Sequence, residues 1–447
     1  MALILAADIV FDMGLWKTKT PVVQQPVWGW QAWDWQAWQP PSAVEQRLLQ
    51  AKLRGDWAGY LEVAAHTDLF VADQRTRADA HPDTIRFTSQ WNPHLQAEYL
   101  ALFTEGILPP PDPELVFQSL TLEWYASVWD EEEAPWIAIN PGTPCEAFLP
   151  AATPEARALW RQHTDGRDNG TDNCGHAHPH GELRGLSVGG PLQGPVAHGL
   201  ACAALLFVKN GELWNSMAHH GIGYNDEKRR LKEWWGVTCR EEWADAQKRL
   251  LDADMVSPVW EFALSVRRSL AQDFAGAVEL DHWRQVAERV LRHNAAQAAE
   301  PRITPDGVLP AGPGGAAEIE AQVAGVQRLI GRIARYEARF RADGLLAGNA
   351  FVRSVEAWDY GRASGMARWG LAARYCTLEE AEQAVAAAGR ACRLNYRSWQ
   401  EFSAAYILGR CLHFDEEEFG SWYEDMLSAH HVLTTDPASP WLTIPWN

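Results

Sequence analysis

Apolar residues at Val44, Leu48, Leu49, Leu53, Trp57 and Leu61 recur at three- and four-residue steps. They form one helical stripe, interrupted at Gly55-Asp56. Leu69-Phe70-Val71 and Trp136-Ile137-Ala138-Ile139 are short continuous apolar runs, the second stopped by Asn140-Pro141-Gly142-Thr143-Pro144, and both read as buried strands. Between them, past Pro109-Pro110-Pro111, the pattern predicts a helix over residues 114–128. Strands and helices mixed within one domain length predict an α+β or α/β N-terminal domain.

Farther along, the strand signals give way to helix starts. Thr238-Cys239-Arg240-Glu241, Thr377-Leu378-Glu379-Glu380 and Ser398-Trp399-Gln400-Glu401 have the hydroxyl-to-glutamate spacing of a capping box. Ser257-Pro258 and Asp281 mark two further starts. Ile319, Val323, Val326, Ile330, Ile333 and Phe340 form an apolar stripe on a long helix otherwise rich in Arg and Glu. The C-terminal domain is therefore expected to be mostly α-helical.

Breaks in the pattern set the boundaries. Residues 1–43 form a Trp/Pro-rich arm, 44–160 the mixed domain, 161–195 a Gly/His-rich linker and 196–447 the helical domain, interrupted by a Pro/Gly-rich loop at 301–317. The arm carries Trp28, Trp30, Trp33, Trp35 and Trp38, whose spacing fits neither a helix face nor strand alternation. Such an arm either lies over an apolar groove of its own chain or docks another subunit through its indoles, with a sugar platform as a third reading.

The formal charge of −19 changes the list of partners: nucleic-acid phosphates and anionic headgroups are repelled by such a surface. No apolar stretch approaches the roughly 20 residues that cross a bilayer, and no signal peptide is read at the start. Seven scattered cysteines without CxxC pairs suit a reducing compartment, so a cytoplasmic location is expected.

Three constellations could carry chemistry. Cys174, His176, His178 and His180 alternate soft and borderline ligands, a spacing suited to weak surface binding of zinc or another divalent metal, or simply to a solvated linker. Otherwise no cofactor is expected. Asp359 and Arg362 are neighbours at i,i+3, with Arg368 two turns on and Glu380 at the next helix start; this is either an inter-helix ion lattice or a polar pocket. The acidic run Asp415-Glu416-Glu417-Glu418 reads as a solvated helix start. Nucleophile-elbow, P-loop, dinucleotide-binding and HExxH motifs do not occur.

Two resemblances follow from these residues. Leu53-Arg54-Gly55-Asp56, Leu69-Phe70-Val71, Leu102-Phe103-Thr104 and Asn140-Pro141-Gly142-Thr143-Pro144-Cys145-Glu146 make residues 44–150 resemble the N-terminal domain of the SseB family. That resemblance implies an adaptor-like module without catalytic residues, and does not by itself imply secretion. Ala197-His198-Gly199-Leu200, Trp214-Asn215, Trp234-Trp235-Gly236-Val237, Trp358-Asp359 with Arg362, Arg368-Trp369-Gly370, Glu379-Glu380-Ala381, and Ser398-Trp399 with Tyr406 and Gly409-Arg410 make residues 194–446 resemble the bacterial domain-of-unknown-function 1266 family.

Together these readings favour a non-enzymatic protein-binding module: an adaptor, chaperone-like or immunity-type partner, linked by the family resemblances to secretion or toxin systems, that binds another protein or itself. The alternatives are a hydrolase or transferase, with or without a metal, whose pocket uses Asp359, Arg362, Arg368 and Glu380, and a self-assembling structural protein.

Overall fold

The break at Gly55-Asp56 divides the first apolar stripe into two helices, α1 (Ala43–Arg54) and α2 (Trp57–Ala65). Gly55 sits at φ 69° and closes α1, and the Asp56 carboxylate accepts from Gly59 N–H to start α2. The computed structural model describes residues 38–81, 87–108, 115–129, 133–163, 181–186, 190–217, 224–273, 278–298, 302–304, 307–309 and 316–447. Trp28, Trp30, Trp33 and Trp35 lie outside these residues, as do Cys174, His176, His178 and His180. Trp38 is described, and it packs partly buried against the core of its own N-terminal domain.

That domain continues through β1 (Leu69–Gln74), α3 (Arg75–Ala80), β2 (Ser89–Asn92), β3 (Ala97–Leu102), β4 (Leu115–Leu120), α4 (Leu122–Val128), β5 (Trp136–Ile139), β6 (Ala147–Pro150) and α5 (Pro154–Arg161). β1 pairs antiparallel with β4, and a second sheet runs β2-β3-β5-β6 with β3 and β5 parallel. A bridge between Phe70 and Phe103 joins the two sheets.

One expectation is corrected here. The single helix expected over 114–128 is a strand followed by a short helix, because Leu115-Val116-Phe117-Gln118-Ser119-Leu120 pairs with β1 along its whole length. Thr121 then caps α4 by accepting from Trp124 N–H. A β-branched and aromatic run with a pairing partner overrides a helical stripe of the same length.

The chain enters the second domain at α6 (Gly194–Cys202) and α7 (Ala204–Asn210), then α8 (Tyr224–Trp235), α9 (Arg240–Leu251), α10 (Pro258–Asp273) and α11 (Leu280–Ala298). The Pro/Gly-rich interruption contains a small hairpin, β7 (Arg302–Thr304) and β8 (Gly307–Leu309). There follow α12 (Ala316–Ala342), α13 (Ala357–Ala372), α14 (Leu378–Asn395), α15 (Trp399–Phe414), α16 (Ser421–Thr435) and α17 (Pro440–Thr443). The fold is thus mixed sheets and helices followed by a mostly helical domain, as expected.

The capping boxes fare unequally. Thr377 and Glu380 make the full reciprocal pair at α14. At α15 Ser398 accepts from Glu401 N–H, while Glu401 reaches back to Arg397 N–H instead of to Ser398. At α9 the box is shifted by one residue: Cys239 occupies the cap position and Glu242 accepts from both Thr238 N–H and its hydroxyl.

Helix α13 is the axis of the helical domain, and every one of its residues except Arg362 is buried. A helix buried all round needs small residues wherever a neighbour crosses. A Cβ at Gly361 would stand 2.6 Å from the Tyr406 ring and 2.9 Å from the Cys202 carbonyl oxygen; one at Gly409 would stand 2.9 Å from Trp358 Cβ. These two glycines let α13 and α15 approach closely.

The two domains touch through the last residues of the linker. Arg184 donates to Asp68 at 2.8 Å and to Glu105 in the first domain, and to the Gly211 carbonyl at 2.6 Å in the second. Asn215 holds Leu186 by its N–H at 2.7 Å and its carbonyl at 2.8 Å. Leu186 and Leu213 complete an apolar cluster with Phe70, Phe103 and Phe117.

Candidate functional site

Trp358, Asp359 and Arg362 stand at the N-terminal end of α13. The Asp359 carboxylate is fully buried and accepts from Met255 N–H and Val256 N–H, each at 2.9 Å, and from Arg362. Burial pushes its pKa upward, and Arg362 with the two backbone donors pulls against that rise. Its acceptor capacity is thereby spent on fixing the turn that leads into α10. Arg362 donates through Nε to the Trp358 carbonyl at 3.2 Å and lies over two indoles, 3.5 Å from the Trp358 ring centre and 5.5 Å from that of Trp235.

The facing side chains come from α15, where Tyr406 and Arg410 share a face at i,i+4. Arg410 is 7% exposed, yet its Nε–H has no acceptor, and among the described residues no carboxylate pairs with it. The Tyr406 hydroxyl and the Trp358 indole N–H also have no hydrogen-bond partner. Burial raises the Tyr406 phenol, and Arg410 and Arg362 both lower it; burial lowers His413, and the same two arginines lower it further. The Trp358 ring beneath Arg362 lies 5.1 Å from the His413 ring and 6.0 Å from that of Phe414, against which Arg410 rests, so Arg362, Arg410 and His413 gather around Trp358.

Among the described residues, what sets Arg410 apart is the missing carboxylate, since Nε groups without an acceptor recur on Arg230, Arg267 and Arg332. Other buried or half-buried arginines have carboxylate partners: Arg267 pairs with Glu337, Arg230 with Glu227 and Glu212, and Arg184 with Asp68. A buried cation without a carboxylate partner is costly, which makes Arg410 the strongest candidate for an anion contact among the described residues. The cradle opens toward solvent along aromatic rings: Arg410 lies 5.3 Å from the Phe414 ring centre and 5.0 Å from that of Trp422, and those two rings stack at 4.6 Å.

The four residues grouped in the sequence separate into three places. Asp359 and Arg362 stay together. Arg368 donates to the Leu213 carbonyl at 2.7 Å and approaches Glu212 at 3.6 Å, in a buried cluster with Arg230 and Glu227. In that cluster burial raises Glu227 to about 7 against the pull of Arg230. Glu380 lies on the surface, where Arg240 and the Thr377 N–H of its own capping box bring it down to about 2.

Among the described residues no group of three His, Cys, Asp or Glu side chains is placed to hold a metal. His430 shares a 2.8 Å hydrogen bond with the Ser403 hydroxyl, but both groups are buried. An open depression of about 700 Å³ is lined by Arg284, Arg328, Arg332, Arg335 and Glu417. There Arg332 is bound to the Leu412 and Cys411 carbonyls and Arg335 to Glu417, and although Arg284 Nε and Arg332 Nε have no acceptor, the carboxylate of Glu417 already supplies the negative charge that the Arg410 cradle lacks.

Sequence reasoning found Trp358, Asp359 and Arg362 but did not join them to Tyr406, Arg410 and His413. The i,i+4 spacing of Tyr406 and Arg410 was a usable signal; which helix they face was not. No helix among the described residues is long and apolar enough to cross a membrane. No curated protein and no solved structure matches the chain. A family model does match residues 230–446, a shorter span than the 194–446 of the sequence resemblance and one that leaves out residues 44–150. The helices that carry the whole cradle are therefore similar to the family described as a protein of unknown function, DUF1266.

Proposed function

We propose that this chain is a non-enzymatic binding module whose helical domain captures a compact anionic group between Arg362 and Arg410. The observation that carries the reading is the buried Arg410, paired with no carboxylate among the described residues, whose Nε–H, like the Tyr406 hydroxyl and the Trp358 N–H beside it, has no acceptor. Binding is favoured over catalysis because the one carboxylate at the site, Asp359, is occupied by three donors and is not free to act as a base. The overall charge of −19 repels polyanions, so the anion is small or presented singly on a partner. The free state of the described cysteines supports a cytoplasmic setting, and the SseB resemblance of the first domain supports an adaptor role.

The test is thermal unfolding of the full chain in inorganic phosphate against chloride at matched ionic strength. Ligand at a hundred times its Kd stabilises by roughly 2.7 kcal/mol. Phosphate is expected to raise Tm by several degrees in the wild type and not in Arg410→Met; an equal response in both overturns the reading.

A further inference from the structure

Resting on that anion-binding reading, we infer that the captured anion is the charged end of an aryl ligand, whose ring leaves the cradle along Phe414 and Trp422. Phe414 is 40% exposed and Trp422 42% exposed, a large outlay of apolar surface at one point. They are held in order: their rings are 14° from parallel, and the Arg410 guanidinium lies against both. His413 meets Phe414 edge-on at 4.4 Å, and Trp260 stands beside His413 at 6.5 Å, so the mouth is walled by rings from α10, α15 and α16.

The site therefore grades from buried donors to exposed aromatic faces. Small-molecule sites combine apolar and aromatic walls with a few convergent polar groups that fix orientation. An inorganic anion would occupy only the inner end and leave the stacked pair uncovered. An alkyl anion would cover the rings without the face-to-face or edge-to-face geometry that aromatic pairs prefer. An aryl-bearing anion uses both ends: oxygens at Arg410, Tyr406 and Trp358, ring on Trp422 or Phe414.

Isothermal titration of the full chain with inorganic phosphate, methyl phosphate and phenyl phosphate decides the matter. Phenyl phosphate is expected to bind about tenfold tighter than methyl phosphate, the factor that corresponds to a single good aromatic contact. Trp422→Ala should shrink that ratio to within about threefold, Trp422→Phe should keep most of it, and Arg410→Met should abolish binding of all three. Equal wild-type affinities for the methyl and phenyl esters, or a tenfold ratio that survives in Trp422→Ala, overturn the aryl assignment while leaving the anion site standing. No binding of any phosphate overturns the anion-binding reading beneath it.

Discussion

Arg267 and Glu337 make a buried ion pair at the centre of a backbone-holding network in the helical domain, and its removal can be worked through. The two side chains are 6% and 4% exposed and joined by two hydrogen bonds of 2.7 Å. Each also holds the backbone of Val352: Arg267 donates to its carbonyl at 2.7 Å, and Glu337 accepts from its N–H at 2.8 Å. The guanidinium is stacked 4.2 Å from the Trp283 ring centre and 4.8 Å from that of Phe351. Arg267→Met keeps most of the side-chain volume but strands a buried carboxylate, which costs about 3–5 kcal/mol. For a unit of this size each kcal/mol moves the midpoint by roughly 2–4 °C, so the helical-domain transition should fall by on the order of 10 °C. Pairing it with Glu337→Leu removes the stranded charge, and the double variant should be more stable than Arg267→Met alone. Urea unfolding followed by circular dichroism measures all three; a loss below about 1 kcal/mol in Arg267→Met, or a double variant weaker than both singles, would refute the reasoning.

Three further outcomes are expected. Burial, with His431 adding to it, lowers His430 from 6.5 to about 4, so the stability it contributes is complete above pH 6.5 and is lost as pH falls toward 4. At about 1.36 kcal/mol for each pH unit this amounts to roughly 3 kcal/mol, and His430→Gln should flatten that part of the stability–pH curve; unchanged curvature would contradict it. Thr377→Ala, which breaks the complete capping box at α14, should cost about 1 kcal/mol, whereas Arg240→Ala, which frees an exposed partner of Glu380, should cost less. Paired thermal melts rank the two, and the reverse order would count against the cap. Arg184→Met removes the donor shared by Asp68, Glu105 and Gly211, so linker cleavage by a dilute protease should speed up several-fold while each domain keeps its far-ultraviolet spectrum. An unaltered cleavage rate would show that the domains are held by other contacts.

Periodicity made much of this architecture legible. The α1–α2 break, the strands at Leu69 and Trp136, and the long helix through Ile330 all follow from local spacing and from turn residues with one physical meaning. The segment from Leu115 to Val128 did not, because its apolar residues satisfy a helical stripe while its pairing partner, β1, lies more than forty positions earlier. The same limit governs the site. Asp359 and Arg362 are neighbours on one helix and could be read together; Arg368 and Glu380 seemed to continue their line, but the turns of α13 and α14 carry them to Glu212 and Arg240. Arg410, nearly fifty residues from Arg362, reaches the same spot only because Gly361 and Gly409 let two helices close on each other. That it lacks an acceptor is a property of the packed core, and no sequence pattern records it.

Whether Arg410 serves a ligand and not the fold is read from the unfolding free energy of Arg410→Met in anion-free buffer. A side chain that holds structure behaves like Arg267, whose loss is strongly destabilising; an uncompensated buried charge kept for binding behaves in the opposite sense, and its replacement by an apolar chain of similar volume is neutral or stabilising by about 1–4 kcal/mol. Arg410→Met is expected to unfold at equal or higher urea concentration than the wild type without phosphate, and the order should reverse when phosphate is added. A variant weaker than the wild type by several kcal/mol in anion-free buffer would contradict it.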